Sequence, residues 1–318
     1  MHHLSSTQAR KLFKQGKLVE RSGDLESARK LYTEALLVDP DTSQADWDML
    51  QNPRSFPERR AIRAMLRTRI ADFTWSSYQE SKAFRDLSFE PKVFMYWGQG
   101  FDKAPPIVQA SVRAAQRHHE KSQLILLDDS NLHDWATLPD RVWTVGDKYR
   151  AAFSDILRIE LIANHGGIWA DATCYPTSNL IHRFDEMVAP AGFFVFGKNK
   201  PGVISNWFLA SKPHSYIACM IRDSMRLFWD VFEKPITYYH MHQIWLQLYR
   251  MDDRFAAHAS RIPDLEVDPR AINRAMLEEL ANVNVDTLLA GSFVHKLTHK
   301  YPPELATPST VASHMASL

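Results

Sequence analysis

The chain has 318 residues, of which 45% are hydrophobic and 24% charged, and its formal net charge at pH 7 is +1. Such a composition is ordinary for a soluble globular protein with one large domain and a small one. The balanced charge argues against nucleic acid as a partner. Cys174 and Cys219 are too few for a disulfide framework, and we find neither a signal peptide nor an apolar run of about 18 residues. We therefore expect a cytoplasmic protein without a transmembrane segment.

The N-terminal region, residues 1–89, is predicted to be helical. Within it, residues 7–40 have the pattern of a helical hairpin that turns at Gly23 and ends at Pro40. The spacing resembles one tetratricopeptide repeat, but no second copy follows, and a solenoid needs about three repeats to bury a continuous core. The hairpin is therefore expected to dock on the next helix, on the main domain or on a protein partner. A packing accessory is the favoured interpretation.

Residues 58–87 are predicted to form a second amphipathic helical segment, with an apolar stripe and many arginines on the opposite face. Two interpretations of this segment are open. We favour a solvated arginine face above a core stripe. The alternative is a peripheral contact with the inner face of a membrane.

The main domain, residues 90–306, begins with alternating strands and helices. Residues 91–97 and 123–127 have the composition of buried strands, and residues 105–119 have the pattern of a helix with proline in its first turn. This alternation predicts a mostly parallel α/β sheet flanked by helices. Residues 307–318 are set apart as a tail, and the last five are excluded from the fold as an expected remnant of cloning.

The most informative stretch, residues 148–173, predicts a helix, a glycine turn and a buried strand with an acidic end. Gly166 and Gly167 end the helix, because glycine takes positive φ without a Cβ clash. The apolar residues 168–170 predict a covered central strand. Asp171 follows at the carboxyl end of this strand, where ligands collect in open α/β sheets.

Two charged residues, Asp155 and Arg158, interrupt the apolar face of this helix three residues apart. The simpler interpretation is a local ion pair, since such pairs are common and weak. The alternative is a shared role at a site, which the glycine pair and Asp171 directly downstream favour. Asp147 and Ser154 are the candidate N-cap residues of the helix.

Residues 192–197 and 203–209 are predicted strands. Asn206 lies inside the second, where a buried amide side chain requires a polar partner. His240 and His242 are two residues apart on a predicted helix and cannot face the same way, so they are a poor metal pair.

Further helices are predicted at residues 214–233, 236–251 and 268–280. Near the C-terminus, the run FVHKLTHK at residues 293–300 places cations and imidazoles together. This patch either suits a diphosphate or is a solvated basic edge. These side chains are His295, Lys296, His299 and Lys300.

Residues 154–173, SDILRIELIANHGGIWADAT, carry a resemblance to a known family. They resemble the signature of the glycosyltransferases that include the yeast-type initiating mannosyltransferases, the large clostridial glucosylating toxins and the bacterial capsular polysaccharide synthesis proteins. In that signature, Ser-Asp, two apolar residues and Arg precede a helix, Gly-Gly, an apolar strand and D-x-D. The capsular branch often has D-A-T in the last position, as here, and a C-terminal run similar to V-H-K-L-T-x-K. The resemblance covers about residues 91–300.

This resemblance implies a GT-A fold, a Rossmann-like nucleotide-diphospho-sugar transferase architecture. The implied activity is the transfer of a sugar from a nucleotide-sugar, expected to be a UDP-sugar, with retention at the anomeric carbon. The implied acceptor is a glycan or lipid-linked glycan in surface or capsular polysaccharide synthesis at the cytoplasmic face of the membrane.

The resemblance also implies a role for each matching residue. The implied catalytic residues are Asp171, Asp155 and Arg158. The implied donor-binding residues, with the first stacking on the base, are Trp97, Asp155, Arg158, Asp171, Lys296 and Lys300. A Mn²⁺ or Mg²⁺ ion is expected to bridge the diphosphate, and its implied ligands are Asp171, Thr173 and His295.

Thr173 departs from the family pattern, because D-x-D relatives have a carboxylate there that binds the metal directly. Either a metal ion is bound by Asp171, His295, water and the diphosphate, or Lys296 is the main group that neutralises the diphosphate charge. The missing carboxylate favours an alternative function, a non-catalytic nucleotide-sugar-binding or adaptor module. The presence of the other implied site residues favours an enzyme. These residues are Asp155, Arg158, Asp171, His295 and Lys296. A dehydrogenase-like dinucleotide domain is excluded, because G-x-G-x-x-G does not follow the first strand.

Overall fold

A computed structural model describes residues 89–146, 148–197, 204–235, 238–301 and 307–318, together with separate positions between 11 and 66. Most of the predicted N-terminal hairpin and most of the predicted arginine-rich segment lie outside the described residues. Three members of that segment's apolar stripe are described, and all of them are buried in the main core. They are Ile62, Met65 and Leu66.

Five strands form the central sheet in the order β2-β1-β3-β6-β5. Their bounds are Val93–Tyr96 for β1, Leu124–Leu127 for β2, Gly167–Ala170 for β3, Phe193–Phe196 for β5 and Ser205–Ser211 for β6. β1 is parallel to both β2 and β3, whereas β6 is antiparallel to its neighbours β3 and β5. Four strands therefore run in one direction, and the prediction of a mostly parallel, Rossmann-like α/β sheet is confirmed.

A second, two-stranded sheet pairs β4, Cys174–Pro176, with β7, Val294–Lys296, in antiparallel orientation. Three residues separate the end of β3 from the start of β4, so this small sheet continues from the carboxyl end of the central one. It was not predicted from the sequence as a pair. Its position brings the C-terminal run of lysines and histidines to the edge where Asp171 lies.

Ten α-helices surround the two sheets within the described residues. Their bounds, α1 to α10, are Pro106–His118, Asp140–Gly146, Arg150–His165, Phe184–Val188, Tyr216–Val231, His240–Met251, Asp253–Ser260, Ala271–Ala275, Val285–Ala290 and Val311–Ser317. α3 and α5 pack together in the main core, around the central sheet. A second core joins one side of α1 to the small sheet and to helices α8, α9 and α10.

The glycine pair between α3 and β3 is required by close packing as well as by the turn. Gly166 has φ 67° and ψ −166°, a region that is essentially restricted to glycine, and Gly167 has φ 92°. A Cβ on Gly167 would lie 2.3 Å from the backbone oxygen of Lys92. The pair therefore lets β3 approach β1 as closely as their parallel pairing requires.

Two predicted helix boundaries differ from the structure. α3 begins at Arg150, with Tyr149 at its N-cap and no side-chain cap, so Ser154 lies inside the helix and Asp147 lies outside the described residues. The helix predicted at 268–280 is shortened to α8. Its chain leaves the helix because the backbone of residues 279–280 pairs with Ser309 and Thr310 instead.

The expectation that residues 307–318 form a tail outside the fold is wrong. Thr310 caps α10, and three apolar side chains of this helix are buried in the second core against α1. Arg113 and Arg117 of α1 donate to backbone oxygens of Ala316 and Leu318 over 3.0 Å and 2.9 Å. The helix owes its place in the fold to the burial of Val311, Ala312 and Met315 against α1, a long-range contact that local sequence does not indicate.

None of the described helices combines the length and the apolar character that crossing a bilayer requires.

The collision at Gly167 predicts a large loss of stability for Gly167→Ala. Gly100 also has positive φ, at 84°, but a Cβ there meets nothing closer than an Asp128 side-chain oxygen at 3.8 Å. Gly100→Ala should therefore cost only backbone strain, about 1–2 kcal/mol. Gly167→Ala should cost about 4 kcal/mol or more, because backbone atoms must move. Equal urea-unfolding free energies for the two variants would contradict the close approach of the two strands.

Candidate functional site

Asp171 lies at the carboxyl end of β3 between two cationic side chains. The ammonium of Lys296 donates to Oδ2 over 2.8 Å, the indole N–H of Trp169 donates to Oδ1 over 2.9 Å, and the guanidinium of Arg158 pairs with Oδ1 at 3.3 Å. Burial alone would raise the pKa of this carboxyl group, but Lys296 and Arg158 hold the pKa below its usual value. Asp171 is therefore an ionised carboxylate at neutral pH.

Arg158 is buried on α3 and directs its N–H groups at protein atoms. Nε donates to the carbonyl oxygen of Ser154, and Nη2 donates to the Ser154 hydroxyl and pairs with Asp171. Nη1 donates to the carbonyl oxygen of Asn206 over 2.8 Å and pairs with Asp155 at 3.1 Å. Three of its N–H groups thus donate to protein oxygens, and both carboxylates lie within ion-pair distance of the guanidinium. The structure therefore places Arg158 between the two carboxylates. The sequence had led us to expect that Arg158 would bind hydroxyls of the donor instead.

Asp155 lies on the other side of Arg158, one helical turn away from it. The side-chain amide of Asn206 donates to Oδ1 over 2.9 Å, and Nε2 of His240 lies 3.9 Å from Oδ2. Burial raises the pKa of Asp155, while Arg158 and the nearby His242 oppose the rise. Asp155 is thus the polar partner that Asn206 requires inside its strand.

Two histidines at the start of α6 cover the Asp155 side of the site. Burial lowers the pKa of His242 to about 4, so its imidazole is neutral at pH 7. His240 stacks on the ring of Phe228 with 5.0 Å between ring centroids. The sequence indicated no role for these histidines, because their place beside Asp155 depends on tertiary packing, in which α6 packs against α5, and not on their spacing.

Lys296 reaches the site from β7, while the neighbouring His295 points away from it. Nζ of Lys296 donates to the Thr173 hydroxyl over 2.6 Å in addition to Asp171. Successive side chains of a strand face opposite sides. His295 is accordingly fully buried on the other face, where Nε2 lies 3.0 Å from the Leu289 carbonyl oxygen. The expectation that His295 joins Asp171 and Thr173 is wrong for this reason.

The described side chains do not fit the metal ion that the D-x-D resemblance implies. Thr173 provides a neutral hydroxyl, Lys296 lies on both Asp171 and Thr173, and His295 is turned away. Over the ranges that the structure covers, no group of three or more His, Cys, Asp or Glu side chains is arranged to hold a metal ion. We therefore derive no step that depends on a bound metal.

Trp97 follows β1 and shares a small apolar cluster with Ala172, the middle residue of the D-A-T turn. Its ring also meets His299 edge-on, with 5.4 Å between centroids. Lys300, the next residue, is exposed beside it. The end of β1, the end of β3 and the segment after β7 therefore lie side by side, and the region between them is called the cleft below. His299 is the member that the implied site residues omitted, although the FVHKLTHK run contained it.

A family model described as capsular polysaccharide synthesis protein matches residues 43–315. This chain belongs to that family. The match includes the whole cleft, both sheets and nearly all of α10, so it extends the resemblance that the sequence carried between residues 91 and 300. Neither the curated proteins nor the solved structures contain a match to the chain.

In this member of the family, the buried His242 predicts a pH-dependent stability. Its pKa falls from about 6.5 in the unfolded chain to about 4 in the fold, so the unfolded state binds more protons between these values. The contribution is fully present above pH 6.5 and is lost as the pH falls towards 4. Asp155, whose pKa is raised, has the opposite effect and remains in the variant.

We therefore expect His242→Gln to remove about 2 kcal/mol of the stability loss between pH 7 and pH 5. Urea unfolding at both pH values measures this difference. His133→Gln, which changes an exposed imidazole, is the matched control. An unchanged pH slope for His242→Gln would contradict the buried neutral state of this imidazole.

Proposed function

We propose that this member of the capsular polysaccharide synthesis family is a glycosyltransferase of the GT-A type. It moves a sugar from a nucleotide-sugar, with UDP-sugars as the first donors to test, to a glycan or lipid-linked glycan acceptor. The observation that carries the proposal is the ionised Asp171 at the end of the central strand, bracketed by Lys296 and Arg158 and in one cleft with Trp97.

The chemistry of the donor supports this assignment. A diphosphate leaves with growing negative charge as the glycosidic bond breaks, and fixed cations stabilise that charge. Lys296 supplies such a cation beside Asp171, and the exposed Lys300 follows His299, the residue that contacts Trp97. Trp97 provides an aromatic face for the base, and the oxygens of Asp171 and Asp155 are acceptors for ribose and sugar hydroxyls.

Arg158 has a different role in this proposal from the one that the resemblance implied. Because its guanidinium is engaged by Ser154, Asn206 and both carboxylates, it acts as a positioning residue. Transfer with retention stays part of the proposal through front-face attack by the acceptor. We assign neither a protein nucleophile nor a general base.

The second candidate is a binding module that holds a nucleotide-sugar without transferring it. Thr173 favours this candidate, because it lacks the second carboxylate of D-x-D enzymes. The two candidates differ in a measurable way: both bind a nucleotide-sugar, but only the enzyme releases nucleotide from it.

We expect Asp171→Asn to lower nucleotide release from the active UDP- or GDP-sugar at least about 100-fold, since the amide loses the charge that holds Lys296 in place. Purified protein is incubated with a panel of donors, with and without Mn²⁺, and free nucleotide is followed. Asp286→Asn, at an exposed position at the start of α9, is the control that keeps wild-type release. Equal nucleotide release by the wild type and both variants would contradict the proposed enzymatic function. Donor binding without nucleotide release, for every donor, would support the binding module instead.

We expect Trp97→Ala to weaken UDP binding about 5- to 150-fold, the range that corresponds to a stacking energy of ~1–3 kcal/mol per base. Calorimetric titrations with UDP and with inorganic pyrophosphate separate the base from the diphosphate. Affinity for pyrophosphate should stay at the wild-type value, and Trp97→Phe should restore most of the UDP affinity. Equal losses of affinity for UDP and for pyrophosphate would show that Trp97 maintains the fold of the cleft and does not stack on the base.

A further inference from the structure

The position of Lys296 assigns it a function beyond that of a phosphate-binding lysine. An ammonium has three N–H groups. Over the described residues, two of them are directed at protein oxygens, Oδ2 of Asp171 at 2.8 Å and Oγ1 of Thr173 at 2.6 Å. The side chain is 19% exposed, so the third N–H can meet a ligand in the cleft. The first and third residues of the D-A-T turn thus hold a cation that the chain itself provides.

The D-A-T turn already holds positive charge without any added ion. Arg158 and Lys296 both pair with the ionised Asp171, so this single carboxylate has two cationic partners. A divalent cation at the D-A-T turn would have to displace the ammonium from Asp171 and would leave the cluster with excess positive charge. An aspartate at position 173 would supply the missing negative charge, but the chain has a neutral threonine there.

We infer that the ammonium of Lys296, held by Asp171 and Thr173, takes the place of the divalent cation and receives the donor diphosphate directly. Donor binding by this protein therefore requires no divalent metal. This inference rests on the proposed function, because it concerns the same nucleotide-sugar site. It makes Thr173 a specificity-determining residue, since its hydroxyl accepts from an ammonium without adding the charge that recruits a metal.

The decisive measurement is calorimetric titration of the full chain with UDP and with GDP, in excess EDTA and in millimolar Mn²⁺ or Mg²⁺. We expect dissociation constants within about threefold of each other, because charge-assisted hydrogen bonds from a lysine do not depend on the metal. A larger loss of affinity in EDTA would overturn the inference while leaving the glycosyltransferase proposal intact. Binding of neither nucleotide under any condition would overturn the proposed function itself.

A set of variants tests Lys296 directly. Lys296→Met should weaken UDP binding about 10- to 100-fold in EDTA, the usual effect of losing a hydrogen bond to a charged group. Lys296→Arg, which keeps the charge, should recover part of the affinity. Lys92→Met is the matched control, because that lysine contacts the Ser122 carbonyl oxygen outside the cleft. Equal UDP affinities for Lys296→Met and Lys92→Met would overturn the inference.

The double variant Thr173→Asp with Lys296→Met restores two carboxylates and removes the ammonium. We expect it to bind Mn²⁺ in the absence of nucleotide, measured by electron paramagnetic resonance of free Mn²⁺, and to bind UDP at least about tenfold more tightly with Mn²⁺ than in EDTA. Wild-type protein in the same titration should leave Mn²⁺ free, a result that does not depend on any variant folding. Stoichiometric Mn²⁺ binding by wild-type protein would contradict the replacement of the metal by lysine.

Discussion

The contact between Lys296 and Asp171 joins the two sheets. Asp171 directly follows β3 of the central sheet, whereas Lys296 lies on β7 of the small sheet, next to Leu297 of the second core. The register between β4 and β7 places Lys296 opposite Cys174, and the backbone N–H of Leu297 extends the pairing to the carbonyl oxygen of Thr173. The D-A-T turn and this register together therefore set the distance between the carboxylate and the ammonium.

Burial makes this arrangement cooperative. The charged side chains are between 6% and 24% exposed, and a buried charge is costly unless a partner compensates it. α3 contributes Asp155 and Arg158, β3 contributes Asp171, and β7 contributes Lys296. Removal of any one charge leaves its partners uncompensated. The three elements consequently hold one relative geometry, and a site of this kind is preorganised for its ligand.

The sequence predicted those parts of the fold that local signals determine. The glycine pair has a strong signal, because glycine adopts positive φ angles without a Cβ clash. The apolar run before Asp171 has one too, because such a run indicates a covered strand. The side on which His295 and Lys296 lie depends on register, and a shift of one residue exchanges the two faces. That register is set by pairing with β4, more than 100 residues earlier in the chain, which no local pattern indicates.

The engagement of Arg158 by the protein divides the cleft into regions of different chemistry. Its guanidinium pairs with Asp155 and Asp171. The cations that we assign to a ligand, Lys296 and Lys300, therefore lie on and after β7, in the segment that contacts Trp97. Hydrogen-bond acceptors dominate near α3, donors dominate near β7, and an aromatic face lies at the end of β1. A nucleotide-sugar has the same order of groups: hydroxyls that donate, a diphosphate that accepts and a flat base. This match in order supports the proposed donor more strongly than any one residue does, because a binding site for a neutral sugar or a free base would need only one of the three regions.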